Sequence, residues 1–183
     1  HLSLRRQRQM CIRDSLYLVS LYFDKQTDYI LSNLMKQIAR KSGNSYMLER
    51  QIPPHLTIGM VRQGKETDLL QHLDRCVKYW NRTEIAIVSI GCFKPHVLFL
   101  ATVLNRALHE MCVDVNKAFT EEQSRYQPFH WLPHITMART LNEPQMQQAF
   151  HVLQANFNPL KGTITEVGLS TGNPYQDIKR WKL

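Results

Sequence analysis

Pro54-His55-Leu56-Thr57-Ile58 is the stretch that decides the fold, because the chain carries this pattern twice. The second copy is Pro133-His134-Ile135-Thr136-Met137, and its histidine follows the first by 134 − 55 = 79 residues. Alternate side chains of a β-strand share one face. Each copy therefore predicts a strand with histidine and threonine on one face and apolar residues, including Met60 after the first copy, on the other. Two such strands side by side would bring two imidazoles and two hydroxyls into one groove.

The alternative interpretation is that each histidine has only a structural role. A single His-x-Thr tripeptide occurs by chance in many proteins, and a lone histidine on a strand usually has no catalytic role. The two copies, however, agree in residue type, order, preceding proline and flanking apolar residues. They also occupy similar places in the two halves of the chain. This agreement favours a shared function for His55 and His134.

The paired motifs resemble the His-x-Thr-x signature of the 2H phosphoesterase superfamily. That group includes the bacterial 2′-5′ RNA ligases and cyclic phosphodiesterases that act on RNA ends or their derivatives. The resemblance implies an α+β fold with a bilobal duplicated unit, in which two antiparallel sheets line a central groove and helices pack outside. It also implies that His55 and His134 are the acid and base catalysts, and that Thr57 and Thr136 bind phosphate.

The chemistry of these side chains agrees with that implication. Imidazole has an ordinary pKa of about 6.5, so one ring can take a proton while the other gives one. A threonine hydroxyl can donate to a phosphate oxygen whose charge grows in the transition state. We expect a metal-independent enzyme without a cofactor that cleaves 2′,3′-cyclic phosphate ends of RNA or nucleotides, or 2′-5′ phosphodiesters. Ligation would use an RNA hydroxyl in place of water to open the cyclic phosphate, so one site could catalyse both reactions.

Two other functions remain open at this stage. One is an RNA- or nucleotide-binding module with little turnover, for which basic groove residues would matter and the histidines would not. The other is a metal-dependent hydrolase, in which His130 would join His55 and His134 in a three-nitrogen site. Binding after alanine substitution of both motif histidines separates the first alternative from the phosphoesterase, and activity in a chelator separates the second.

Further candidate site residues surround the second motif. Arg139 is a natural phosphate contact, although simple alternation places it on the apolar face unless the strand ends or twists near Ala138. The alternative is that Arg139 lies in solvent at the end of the strand and contacts no ligand. Aromatic side chains could stack on a base or belong to the core. They are Tyr22, Tyr126, Phe129 and Trp131.

The formal net charge is +8, which favours a polyanionic partner such as RNA. Residues 1–15 carry four arginines and one aspartate, or 4 − 1 = +3, which leaves 8 − 3 = +5 for the remainder. This basic stretch shows no pattern that would join a sheet. We expect a non-native or disordered tail, with an RNA-binding arm as the alternative, followed by a single domain over residues 16–183 with two pseudo-symmetric lobes.

Composition also bears on compartment and partners. No apolar run approaches the ~18–20 residues of a membrane span. The four cysteines, Cys11, Cys76, Cys92 and Cys112, show no CxxC spacing, so reduced thiols in the cytoplasm are expected. The expected partner is an RNA end or a nucleotide carrying a cyclic phosphate or 2′-5′ linkage. No membrane partner is expected, and a monomer is the default.

Hydrophobic periodicity predicts the element order β-α-β-α-β-β-α-β-α-β-β. Thr27 or Asp28 is the predicted N-cap of the first helix, and Asn142 or Glu143 opens the last. Helices are predicted at about 27–41, 66–80, 104–120 and 142–157. Strands are predicted at about 16–24, 54–61, 84–93, 97–103, 133–139, 162–170 and 178–183.

Overall fold

The computed structural model describes residues 16–62, 66–120, 126–128 and 130–183. Within them the chain forms seven strands and five α-helices in the predicted order, with one extra short helix after the first long one. The strands are β1 (Leu16–Phe23), β2 (Leu56–Arg62), β3 (Thr83–Phe93), β4 (Val97–Thr102), β5 (His134–Ala138), β6 (Leu160–Gly172) and β7 (Tyr175–Lys182). The helices are α1 (Lys25–Ser42), α2 (Tyr46–Glu49), α3 (Glu66–Cys76), α4 (Arg106–Asn116) and α5 (Glu143–Asn156). The predicted α+β class is confirmed.

The strands join in one antiparallel sheet of order β1-β2-β5-β4-β3-β6-β7, and β6 also pairs with β1. Two separate sheets were expected. They are joined because β6, with 13 residues, is long enough to pair with β3 through its first half and with β1 through its second. The motif strands β2 and β5 meet only at the pair Leu56↔Ile135. Beyond that pair their facing edges are not bridged to each other, so a groove can open between them.

The first helix begins two residues earlier than predicted, because Asp24 and not Thr27 or Asp28 is its N-cap. Asp24 Oδ1 accepts hydrogen bonds from the backbone N–H groups of Gln26 and Thr27. Its Oδ2 accepts from Thr27 Oγ1 at 2.7 Å and from the Thr163 N–H at 2.8 Å. The cap therefore satisfies the helix end and ties α1 to β6, a contact that local periodicity could not reveal.

The other helix limits differ little from the predictions. The third helix ends at Cys76 instead of residue 80 and continues as a 3₁₀ turn over Val77–Tyr79. The predicted Asn142 cap is confirmed, with a capping box to Gln145 and a proline in the first turn. No helix of the described residues is both long and apolar enough to span a membrane.

The core lies between the sheet and the helices. Helix α1 packs against α5 and β5, whereas α4 packs against β2 and α3. Fully buried members of this core include the following residues: Val19, Leu21, Leu31, Leu56, Ile58, Leu73, Ile87, Leu98, Leu100, Leu108, Val115, Ile135, Leu153, Ile164 and Val167. Leu56 and Ile135, the apolar residues inside the two motifs, thus anchor both motif strands in the core, as predicted.

Both motif strands contain a β-bulge directly after their threonine. In β2 the register passes from Ser20↔Thr57 to Val19↔Gly59, which leaves Ile58 as the extra residue. In β5 it passes from Phe99↔Thr136 to Leu98↔Ala138, which leaves Met137 as the extra residue. An extra residue reverses the inside–outside alternation that follows it. The side chain five positions after each histidine therefore returns to the groove face.

Candidate active site

The two motif histidines lie at the N-terminal starts of two antiparallel strands, which meet at those starts. His55 immediately precedes β2 and His134 begins β5, and the Leu56↔Ile135 pair aligns the two strand starts. One small pocket of about 90 Å³ is lined by both histidines together with Thr57 and Thr136. The structure thus brings together the four residues that the repeated motif singled out.

The imidazoles are held in the same way in both copies. His55 Nδ1 lies 2.8 Å from the Pro53 carbonyl oxygen, and His134 Nδ1 lies 2.8 Å from the Leu132 carbonyl oxygen. A carbonyl oxygen only accepts, so Nδ1 carries the proton and donates in each ring. The tautomer that remains has an unprotonated Nε2. Each ring is therefore oriented by the backbone two residues upstream, with Nε2 available for proton transfer.

Both histidines have a pKa below the ordinary value. Burial lowers the pKa of His55, and the positive charges of His134 and Arg180 lower it further, against the opposing effect of the Pro53 hydrogen bond. Burial also lowers the pKa of His134, and the Leu132 hydrogen bond opposes it. These shifts favour the neutral form of both rings in the ligand-free protein. The pair favours an anionic ligand, since a negative charge would stabilise one protonated ring.

The two threonines differ in their surroundings. Thr57 is buried, and its Oγ1 lies 3.4 Å from Oγ of the fully buried Ser20 on β1. Thr136 is half-buried and lines both the small pocket and the cleft beside it. When Ser20 donates to Thr57, the Thr57 proton is left for a ligand in the groove.

The bulges bring two further residues to the groove. Met60 and Arg139 occupy equivalent positions, five residues after His55 and His134, and both line the groove. The prediction that Met60 lies on the apolar face is wrong because of the bulge in β2, whereas for Arg139 the bulge in β5 supplies the departure from alternation near Ala138 that the sequence left open. The exposed Arg139 guanidinium lies 5.5 Å from the centre of the Tyr46 ring. The groove is therefore asymmetric, with a cation on the second-motif side and a thioether on the first.

A wide cleft of about 610 Å³ opens beside His134. Tyr126 lies nearly parallel to the His134 ring, with centroids 6.5 Å apart, and Phe93 meets that ring edge-on at 5.0 Å. Trp131 is half-buried, lines the cleft, and packs partly against the core. Of the predicted stacking residues, Tyr126 and Trp131 thus reach the site, whereas Phe129 lies outside the described residues.

The structure contradicts the expectation that Tyr22 stacks on a base. It is only 4% exposed, and Arg180 covers its ring at 3.8 Å, so it does not offer a face to a base. Instead its ring lies 6.2 Å from that of His55, and its hydroxyl is 2.9 Å from the Tyr175 hydroxyl. Tyr175 in turn lies 6.3 Å from the His55 ring and donates to Asp177 at 3.0 Å. The wall beside His55 is therefore a hydrogen-bonded chain that runs from Tyr22 through Tyr175 to Asp177.

Sequence reasoning missed Tyr175, Asp177, Arg180 and Phe93. They belong to β7 and to the β3–β4 hairpin, far along the chain from either motif. No spacing rule relates them to a histidine, so only the strand pairing could have revealed them.

The metal-site alternative receives no support from the geometry. His130 is exposed and lines the wide cleft beside His134. Within the described residues, however, no three histidine, cysteine, aspartate or glutamate side chains cluster closely enough to hold a metal ion. His130, His55 and His134 therefore do not form the three-nitrogen site considered above.

Comparison with known proteins identifies the family to which these features belong. The sequence model of the 2′-5′ RNA ligase superfamily matches residues 31–173, which include both motifs. The chain belongs to this superfamily. No curated protein matches the chain by sequence. Membership supports a phosphoesterase-type enzyme and leaves the choice between cyclic phosphodiesterase and ligase open.

Solved structures share the fold of this superfamily member at low sequence identity. LigT from E. coli, solved with ATP, has a TM-score of 0.58 at 16% identity and covers 93% of this chain and 98% of its own. The protein TT0787 from Thermus thermophilus has a TM-score of 0.59 at 15% identity, covering 92% and 97%. A structure described as a phosphoesterase has a TM-score of 0.60 at 14% identity, covering 92% and 98%. The likeness extends over almost the whole length of each chain.

Proposed function

We propose that this protein is a metal-independent phosphoesterase of the 2H type. It acts on 2′,3′-cyclic phosphate ends of RNA or nucleotides, or on 2′-5′ phosphodiesters, through His55 and His134. The observation that carries this proposal is the matched pair of imidazoles. Each donates from Nδ1 to the carbonyl two residues upstream, and both line one pocket with Thr57 and Thr136.

The two histidines divide the proton transfers between them. Nε2 of one neutral ring takes a proton from the attacking water, whose oxygen then bonds to phosphorus. Nε2 of the other, protonated ring gives its proton to the leaving ribose oxygen as the P–O bond breaks. The products are a phosphate monoester and a free hydroxyl. When an RNA hydroxyl replaces water as the nucleophile on a cyclic phosphate, the same two proton transfers open the ring and leave a phosphodiester that joins the two ends.

The low pKa of both rings suits this division. A free site with two neutral imidazoles has a base but no acid, and the nearby charges disfavour protonating both. The negative phosphate raises the pKa of the ring it contacts, so substrate binding itself creates the acid. Hydroxyls of Thr57 and Thr136 donate to the non-bridging oxygens, where charge grows in the transition state.

A nucleotide fits the second-motif side of the groove. The aromatic cleft offers Tyr126 for stacking, and Arg139 supplies the positive charge for a phosphate. LigT has been solved with ATP and with 3′-AMP, which supports a nucleotide or RNA-end ligand for a groove of this fold. The basic balance of the chain supports the same class of ligand. We further propose that residues 16–183 act as one monomeric cytoplasmic unit, with Cys76, Cys92 and Cys112 as free thiols.

Turnover of 2′,3′-cyclic nucleotides and 2′-5′ dinucleotides, measured with and without EDTA, tests the proposal. The parent protein should remain active in EDTA. Replacing His55 or His134 by alanine should each lower kcat/KM by ~10²–10⁴-fold. The double variant should lose far less than the product of both losses, because the rings act as a unit. His151→Ala, at an exposed position on α5, is the matched control.

Full activity in either single variant would refute the two-histidine mechanism. Unchanged nucleotide binding by the double variant, in a protein without turnover, would instead favour the binding module. Loss of activity in EDTA that zinc restores would favour a metal-dependent hydrolase.

A further inference from the structure

Two side chains from distant parts of the chain donate to consecutive carbonyls of the first motif strand. Trp131 Nε1 donates to the Thr57 carbonyl oxygen at 3.1 Å. Asn116 Nδ2 donates to the Ile58 carbonyl oxygen at 2.9 Å. Ile58 is the bulge residue, and Thr57 precedes it. Both donors therefore act at the point where the regular hydrogen-bond ladder of β2 is interrupted.

The Asn116 side-chain amide donates hydrogen bonds to two backbone carbonyls at this position. Its side chain is 2% exposed, and Nδ2 also donates to the Cys112 carbonyl oxygen at 2.7 Å. The two N–H bonds of the amide thus join the last turn of α4 to the bulge. A buried amide with both hydrogens bonded has little freedom to move, so it holds the Ile58 carbonyl in one place.

Close packing of α4 on the bulge reinforces this link. A Cβ atom added at Gly59 would lie only 2.7 Å from Val115 Cγ1, so a larger residue would push the helix away. Helix α4 also contacts the segment that precedes the second motif, because Cys112 Sγ donates to the Tyr126 carbonyl oxygen at 3.2 Å. One helix thus contacts both the backbone of β2 and the segment before β5.

We propose that Asn116 and Trp131 are positioning residues that fix the β2 bulge and, through it, the orientation of His55 and Thr57. The proposal rests on the phosphoesterase function above. Its physical basis is register: if the extra residue moves by one position, the side chains on one side of it exchange faces. Donors that hold the Thr57 and Ile58 carbonyls prevent that movement, and Thr57 stays in the groove.

Trp131→Phe is the decisive variant, because it removes the N–H donor and keeps an aromatic ring, smaller than indole, in the cleft. Its matched control is Trp181→Phe, which removes the indole donor from β7 to Asp74 of α3. Asn116→Ala is paired with Asn156→Ala, whose amide donates to the carbonyl four residues before it and is remote from β2. We measure kcat, KM and the imidazole ¹H–¹⁵N NMR signals of all four variants.

We expect Trp131→Phe and Asn116→Ala to lower kcat, by up to ~10²-fold, with KM little changed. The His55 ring signals should shift more than those of His134, and both controls should match the parent. Parent values of kcat and of the His55 signals in Trp131→Phe would overturn the proposal. So would a rise in KM alone, which would make Trp131 a ligand contact, or lower thermal stability without any His55 shift.

The NMR measurement separates this proposal from the proposed function. A parent protein without turnover would refute the phosphoesterase, yet the His55 signals would still report whether Trp131 positions the motif. If Asn116→Ala fails to fold, Trp131→Phe decides alone, since that side chain is only half-buried and the variant keeps an aromatic ring.

Discussion

Replacing Thr57 by valine should separate the catalytic contribution of its hydroxyl from the structural one. Valine keeps the β-branched shape and removes the hydrogen-bond donor. Loss of one transition-state donor should lower turnover by roughly 10- to 1000-fold. The change also leaves Ser20 Oγ, which is fully buried, without its contact to Thr57 Oγ1. Stranding a buried hydroxyl costs ~1–3 kcal/mol of unfolding free energy, and the long 3.4 Å contact argues for the low end, about 1 kcal/mol.

The double variant Ser20→Ala/Thr57→Val distinguishes the two contributions. Removing both hydroxyls abolishes the stranded group, so the unfolding free energy should return towards that of the parent while turnover stays low. Urea denaturation and steady-state turnover of a cyclic nucleotide measure the two quantities separately. Thr136→Val, at a more exposed position, should lose turnover with a smaller change in stability. Recovery of turnover in the double variant would refute the assignment of Thr57 as a phosphate donor.

Two further predictions concern stability and pH. Because burial lowers the pKa of both His55 and His134, the unfolded chain binds more protons than the native one below pH ~6.5. Unfolding free energy should therefore fall as the pH drops below ~6.5. It should fall less in a His55→Gln/His134→Gln variant. If urea titrations show that unfolding free energy changes equally with pH in the parent and the variant, the prediction is wrong. Burial raises the pKa of Asp24, but hydrogen bonds from Thr27 and the Thr163 and Gln26 N–H groups lower it overall. Asp24→Ala should lower the unfolding free energy by ~0.5–2 kcal/mol at neutral pH. The difference from the parent should shrink as the pH falls below ~3.9 and through the lower native pKa of Asp24. A difference that stays constant down to acid pH would argue against the carboxylate cap.

Local patterns were enough for the order of the elements and for the central four residues of the site. Alternation within each motif identified Leu56 and Ile135 as core residues, and the repetition itself associated His55 with His134. These features depend on neighbours a few positions apart, where strand and helix periods act directly on the side chains.

Tertiary structure decided the features that depend on strands meeting from distant parts of the chain. Local sequence does not indicate the bulges that bring Met60 and Arg139 to the groove, because a bulge is defined by the register with a partner strand. Tyr22 was expected to offer a face to a base, but β7 brings Arg180 over its ring and Tyr175 to its hydroxyl.

What the sequence determined by itself was therefore the set of candidate site residues: two imidazoles and two hydroxyls on two similar strands. Only the tertiary structure decided how that chemistry is held. Long-range pairing along β6 joins the two expected sheets into one, and hydrogen bonds from Asn116 and Trp131 hold the bulge in β2. The physical reason is that side-chain type and period are local properties, whereas register, burial and hydrogen-bond partners arise only when separate segments pack together.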